Sequence, residues 1–218
     1  VLLPTEEHIC SVCLADLPLT RYWLLSRNPM ADRLNALLPD EDRYCRAAAL
    51  FFYSYDSDYG RITRALKYRR NIPAGRRFAS MLGDYLAGSE YFADVDVVVP
   101  VPLHWTRRWR RGYNQAAVIA SALASRLPSA RVEEAVLRRS RRTSSQARLS
   151  GAAAKRSNVR GAFTAAAPAA RYLRDARHIL LVDDVFTSGA TTSECLNALR
   201  DACPAGVRIS VATLGYVQ

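Results

Sequence analysis

Apolar and polar positions along this chain fall into short blocks whose period changes from one block to the next. Ala47 to Tyr55, Val95 to Val101, Ile179 to Val182 and Val207 to Tyr216 are largely apolar or β-branched runs, the pattern of buried strands. Between them the spacing turns helical. Tyr59 to Arg69 carries Ile62, Ala65 and Leu66, and Tyr113 to Leu127 sets Ile119, Ala120, Leu123 and Leu127 on one side. Pro73 to Leu86 begins on a proline, which suits a first helical turn, and Ser193 to Leu199 precedes the last strand. Strands alternating with helices predict an α/β fold with a mainly parallel sheet flanked by helices. Ligands of such sheets bind at the C-terminal ends of the strands. Val132 to Leu137 predicts a short extra strand and Arg33 to Leu38 an amphipathic helix. Ser140 to Ser157 holds no large apolar residue except Leu149 and predicts a long mobile loop, a length that usually means function or disorder. Residues 1–45 read as a separate N-terminal segment and 46–218 as the main domain.

One block carries most of the chemistry. The apolar run Ile179–Val182 leads into Asp183 and Asp184, then Val185-Phe186-Thr187-Ser188-Gly189-Ala190-Thr191-Thr192, then a helix. A helix start rich in small residues offers backbone N–H groups to an anion such as phosphate. The neighbouring carboxylates repel phosphate but suit the vicinal hydroxyls of a ribose, or a divalent metal. A phosphate cradle beside a sugar clamp points to a ribose 5-phosphate. An ordinary strand–turn–helix explains the small residues, but it does not explain two successive acids after a fully apolar strand.

Charge adds a second anion site. The net charge of +11 is concentrated: His104 to Arg160 holds fourteen Lys or Arg against two acids, Glu133 and Glu134. Such a region attracts phosphate-rich partners, with pyrophosphate, nucleotide and nucleic acid all allowed. Its densest part follows a strand. Val97-Val98-Val99-Pro100-Val101-Pro102-Leu103-His104 ends abruptly at its prolines, and Arg107, Arg108, Arg110, Arg111 and Gly112-Tyr113-Asn114-Gln115 then open a helix. A ligand with a phosphate at one end and a pyrophosphate at the other would use both sites. That description fits 5-phosphoribosyl 1-pyrophosphate (PRPP).

Five cysteines, with Cys10 and Cys13 as the only close pair, suit a reducing cytoplasm better than a disulfide framework. CxxC is the pair spacing of a zinc knuckle, and His8 and Cys45 are candidate partners for it. Cys195 reads as a buried helix residue and Cys203 as a loop thiol. No apolar stretch reaches the roughly 20 residues that span a bilayer, and no signal peptide is apparent. The expected location is therefore cytoplasmic, without membrane insertion.

Val182 to Thr192 resembles the PRPP signature of type I phosphoribosyltransferases. Pro100-Val101-Pro102-Leu103, Arg111-Gly112-Tyr113-Asn114-Gln115, the stretch from Gln146 through Arg156-Ser157-Asn158 to Phe163, and then the acid pair follow the order seen in ComF-type proteins. These are amidophosphoribosyltransferase-like proteins linked to natural competence. Leu66-Lys67-Tyr68 also looks like a signature of that family. The resemblance covers roughly residues 47–216, together with Cys10, Cys13 and the Leu17-Pro18 segment.

The resemblance implies a type I phosphoribosyltransferase domain with Mg²⁺, preceded by a remnant of a structural zinc ribbon. Cys10 and Cys13 would match its second pair, with the first before Val1. Asp183 and Asp184 would orient the ribose, and Thr187, Ser188, Gly189, Ala190 and Thr191 would hold the 5′-phosphate. Leu103, Arg107 and Arg108 would meet the pyrophosphate, with Arg107, Arg108 or Arg111 assisting its departure. Gln146, Arg148 and Arg156 would reach the ligand from the long loop. The implied reaction transfers the phosphoribosyl group to a nitrogenous acceptor that the sequence does not identify. The implied setting is DNA uptake, with single-stranded DNA and competence proteins as partners. Two other readings use the same fold without catalysis: a factor that handles single-stranded DNA, through Trp105, Trp109 and Tyr113 among the arginines, or a PRPP-sensing regulator.

Overall fold

The computed structural model describes residues 9–38, 44–54, 71–104, 106, 109, 112–140 and 161–218. Five strands form the main sheet: β1 (Ala47–Phe52), β2 (Val97–Pro100), β3 (Arg131–Val132), β6 (His178–Phe186) and β7 (Arg208–Tyr216). Their order in space is β1-β7-β6-β2-β3, and every pairing is parallel. Two further strands, β4 (Leu137–Arg139) and β5 (Phe163–Ala165), form a separate antiparallel pair. The expected α/β fold with a parallel sheet is what the chain adopts.

Helices cover both faces of the sheet. On one side lie α3 (Ile72–Ala87) and α4 (Gln115–Ala124). Their Phe78, Leu82, Ile119 and Leu123 pack on Ala48, Leu50, Val98, Leu180 and Leu214. Gly83 lets the two helices approach closely, since a Cβ there would stand 2.7 Å from the carbonyl oxygen of Leu123. On the other side lie α2 (Pro29–Asn35) and α6 (Ala190–Arg200). Met30, Leu34, Leu196 and Leu199 there pack on Ala47, Ala49, Val99, Leu181 and Val211. Consecutive residues of β6 thus serve opposite layers, so both faces must be apolar, as buried parallel strands require.

The N-terminal stretch packs into this core. After α1 (Ser11–Ala15), Leu19 bridges Phe51 at the edge of β1, and the Thr20 hydroxyl donates to the Ala49 carbonyl. Asn28 caps α2 by accepting from Ala31 N–H, and its amide donates to the Ala47 carbonyl. This cap, followed by Pro29, starts the helix four residues before the predicted Arg33.

Other boundaries also differ from the sequence reading. Val132 to Leu137 is not one strand but the end of β3 and the start of β4, in two different sheets. The short helix α5 (Ala169–Leu173) and strand β5 carry no strong periodic signal and are not predicted. The predicted helix at Tyr59 to Arg69, including Leu66-Lys67-Tyr68, lies outside the described residues, as does the predicted loop beyond Ser140.

Pairing across β1, β7 and β6 skips one row, that of Leu50, Leu214 and Asp184. The alternation of faces slips there. Leu50 and Phe51 both serve the α3–α4 layer, and Phe186 and Tyr216 then belong to the α2–α6 layer, with Phe52 packed against it. The slip gathers these three rings with Tyr22 into one aromatic cluster, with Tyr216 centred 5.7 Å from Tyr22 and 6.0 Å from Phe186. This cluster floors the loop that follows β6.

Candidate functional site

The connections of the sheet fix where a ligand belongs. From β2 the chain passes through α4 and moves outward to β3. From β6 it passes through α6, on the opposite face, and moves the other way to β7. The crevice between the C-terminal ends of β2 and β6 is therefore the switch point of the sheet, the usual ligand position in open α/β folds. The loop after β6 and the described parts of the second motif, Leu103, His104 and Gly112 to Gln115, lie at these strand ends.

β6 is longer than its apolar run suggests. The acid pair does not follow the strand but lies inside it, because β7 continues to pair with Asp183, Val185 and Phe186. The β2 side ends earlier: Pro100 pairs with Val182, and Val101 N–H then donates to the Val182 carbonyl at 2.8 Å. Asp183 to Phe186 therefore extend past the end of β2 and border the crevice. Asp183 is on the α6 side, where its charge helps raise the Cys195 thiol pKa, although burial is the larger cause. Its Oδ1 accepts the backbone N–H of Asp184 at 2.8 Å.

The loop after the acids is tightly packed. Gly189 adopts φ 76°, and a Cβ there would lie 2.8 Å from the Phe186 ring and 2.9 Å from Leu37. Glycine is needed for both the conformation and the space. Gly189 also serves as the N-cap of α6, and no side chain caps the helix. Helix α6 thus begins at Ala190, three residues before the predicted Ser193. Within this loop the Ser188 hydroxyl is buried and has no hydrogen-bond partner among the described residues. A buried unpartnered hydroxyl costs roughly 1–3 kcal/mol.

On the other side of the crevice, Asn114 explains the shape of the second motif. Its side chain accepts Ala116 N–H at the start of α4 and donates to the Val101 carbonyl at 3.1 Å. Gly112, two residues before it, adopts φ 84°. Leu103 sits in the turn after β2 and His104 is buried. His104 Nδ1 lies 2.9 Å from Thr106 Oγ1 and accepts Thr106 N–H at 3.3 Å. Arg107, Arg108, Arg110, Arg111 and Trp105 lie outside the described residues, as do Gln146, Arg148 and Arg156. Trp109 is 87% exposed, whereas Tyr113 packs against the α3–α4 layer.

Two contacts of this site have no signal in the sequence. Arg33, on α2, donates to the Thr187 carbonyl at 3.3 Å and to the Val217 carbonyl at 2.8 Å. Glu194, on α6, accepts Gly161 N–H at 2.7 Å beside β5.

The cysteines divide into two groups. Cys10 caps α1, and its sulfur accepts Cys13 N–H at 3.4 Å, an arrangement compatible with half of a thiolate metal site. Among the described residues no third His, Cys, Asp or Glu joins them. Cys45 does not: it is buried in the α2–α6 layer, where burial pushes its thiol up to about 12, and His8 lies outside the described residues. Burial also holds Cys203 at about 11 and Cys195 well above the usual thiol value. Burial thus favours the protonated thiol at Cys45 and Cys195, and to a lesser degree at the half-buried Cys203.

No family model matches the chain. Individual proteins do. The chain is 36% identical over 105 residues to competence protein F of Haemophilus influenzae, covering 48% of this chain and 44% of that protein. It is 37% identical over 114 residues to DNA utilization protein YhgH of Escherichia coli K12, covering 52% and 47%. With YhgH of Shigella flexneri the identity is 38% over 104 residues, covering 48% and 43%. Over about half of its length the chain is thus similar to a competence protein and to DNA utilization proteins. The matches span just under half the length of these curated relatives. Among the described residues no helix is long and apolar enough to cross a membrane.

Proposed function

We propose that this chain is a ComF-type, phosphoribosyltransferase-like protein that binds PRPP with Mg²⁺ in the crevice between β2 and β6 and acts in DNA uptake or utilization. One observation carries the reading: an acid pair and a glycine-turned helix start share the switch point of the sheet, with the buried Ser188 hydroxyl left unpartnered between them. The names of the relatives, competence protein and DNA utilization protein, support the biological setting.

Asp183 and Asp184 accept hydrogen bonds from the ribose hydroxyls, and the loop from Thr187 to Thr191 donates to the 5′-phosphate. Leu103, Arg107, Arg108 and Arg111 serve the pyrophosphate. The C1′–O bond breaks toward an oxocarbenium-like centre, and a nitrogenous acceptor attacks from the opposite face. The protein needs no nucleophile for this; it positions two reactants and stabilises the leaving charge. Mg²⁺ supplies Lewis-acid stabilisation of that charge when bound. Cys10 and Cys13 contribute half of a structural zinc site that is completed from elsewhere.

Calorimetry with PRPP and Mg²⁺ tests the site. Asp183→Asn with Asp184→Asn removes two charged acceptors and weakens binding about 100-fold, taking about 1.5 kcal/mol for each lost bond. Equal affinity of wild type and double variant removes the assignment. Pyrophosphate release, screened over bases and small amines, then separates a transferase from a PRPP-sensing regulator. A second reading, a module that handles single-stranded DNA, is favoured by one observation: Trp109, with two arginines on either side in sequence, is 87% exposed.

A further inference from the structure

Arg33 of α2 lies 154 positions before Thr187 in sequence, yet α2 bears on the phosphate loop directly. Arg33 Nη1 donates to the carbonyls of Thr187 and Val217, its guanidinium carbon lies 5.2 Å from the centre of the Tyr216 ring, and Leu37 closes on Gly189. Val217 N–H in turn donates to the Phe186 carbonyl at 2.9 Å. Arg33 therefore ties together the ends of β6 and β7 where the anion loop begins.

The consequence follows from peptide geometry. In a planar trans peptide the carbonyl and the next N–H point in opposite directions. Holding the Thr187 carbonyl toward Arg33 turns the Ser188 N–H the other way, away from α2. A flipped Thr187–Ser188 peptide would present a carbonyl oxygen there instead, and an oxygen repels phosphate. Resting on the reading that this loop binds a 5′-phosphate, we propose that Arg33 is a positioning residue: it sets the Thr187–Ser188 peptide so that the loop donates to that phosphate. The N-terminal stretch is on this view part of the phosphate site.

Arg33 is exposed, so its truncation leaves the core intact. Binding of PRPP, ribose 5-phosphate and inorganic pyrophosphate is measured by calorimetry with Mg²⁺ on wild type, Arg33→Met and Arg33→Lys. Loss of an aligned donor to the phosphate predicts about tenfold weaker binding of PRPP and ribose 5-phosphate in Arg33→Met. Pyrophosphate, which does not use this loop, stays within about twofold. Arg33→Lys keeps the charge without the planar fork and behaves like Arg33→Met. Full rescue by lysine overturns the positioning role in favour of simple attraction. Unchanged affinities in both variants overturn it outright, while wild-type PRPP binding keeps the proposed site. Equal loss for all three ligands overturns it too, as damage not confined to the loop. A wild-type protein that binds none of the three overturns the site reading itself.

Discussion

At the scale of single residues, the loop after β6 keeps a hydroxyl in a place that folding alone does not favour. Ser188 Oγ is buried without a partner among the described residues, and burying such a group costs roughly 1–3 kcal/mol. Ser188→Ala removes the unpartnered atom and leaves the backbone donors in place. It is expected to raise stability by about 1 kcal/mol, read as a higher urea midpoint, while PRPP binding weakens severalfold. Gain in one quantity with loss in the other is the mark of a group kept for a ligand. A variant less stable than wild type would show that the hydroxyl has a structural partner. Gly189 offers no such trade. Its φ of 76° and the 2.8 Å approach of Phe186 leave no room for a side chain, so fold and site depend on it together.

At the scale of elements, β6 has two ends with separate duties. Its C-terminal end carries the acids. Its N-terminal end is tied down by His178, whose Nδ1 lies 2.8 Å from Asp94 and whose Nε2 lies 2.9 Å from Ser210. Asp96 accepts the backbone N–H groups of Arg177 and His178. Burial lowers the His178 pKa to about 4, opposed by Asp96 and assisted by Arg46. The neutral ring is therefore the folded form, while the unfolded chain binds a proton near pH 6.5. Stability is complete above about 6.5 and falls as pH drops toward about 4. A shift of that size corresponds to about 3 kcal/mol across the window. Urea midpoints measured from pH 7 to 4 should show this slope, and His178→Gln should flatten it. A wild-type midpoint constant between pH 6.5 and 4.5 counts against the assignment.

β6 also shows what the sequence makes legible. An apolar run identifies a buried strand, because only a strand covered on both faces needs it. Polarity does not mark where that strand stops. Asp183 and Asp184 look like an end, yet Thr213 and Gly215 on β7 keep the ladder going. The acid pair, the glycine turn and the parallel sheet were readable because each depends on adjacent residues. The contacts of Arg33 with Thr187 and of Glu194 with Gly161 were not, since 154 and 33 positions separate their partners. The split of Val132 to Leu137 between two sheets was hidden for the same reason: β4 is defined by Phe163 to Ala165, far along the chain.

At the scale of the whole molecule, charge leaves two ligand classes in play. Pyrophosphate and nucleic acid both want arginine, and His104 to Arg160 supplies fourteen Lys or Arg. Exposure of Trp109 breaks the tie in a measurable way. A buried tryptophan gains apolar area; one that is 87% exposed offers its face to whatever planar group arrives. A base stacked on an aromatic residue is worth about 1–3 kcal/mol, whichever base it is. Trp109→Ala should therefore weaken single-stranded oligonucleotide binding about tenfold and leave PRPP affinity within about twofold. Salt gives a second axis. Binding through Z phosphates of a single strand falls with log salt at a slope near −0.7Z, and a stacking residue changes the intercept but not the slope. If Trp109→Ala reduces PRPP affinity as much as oligonucleotide affinity, the tryptophan belongs to the sugar-phosphate crevice. If it alters neither, the exposed ring serves some other surface, and the DNA-handling reading loses its structural support.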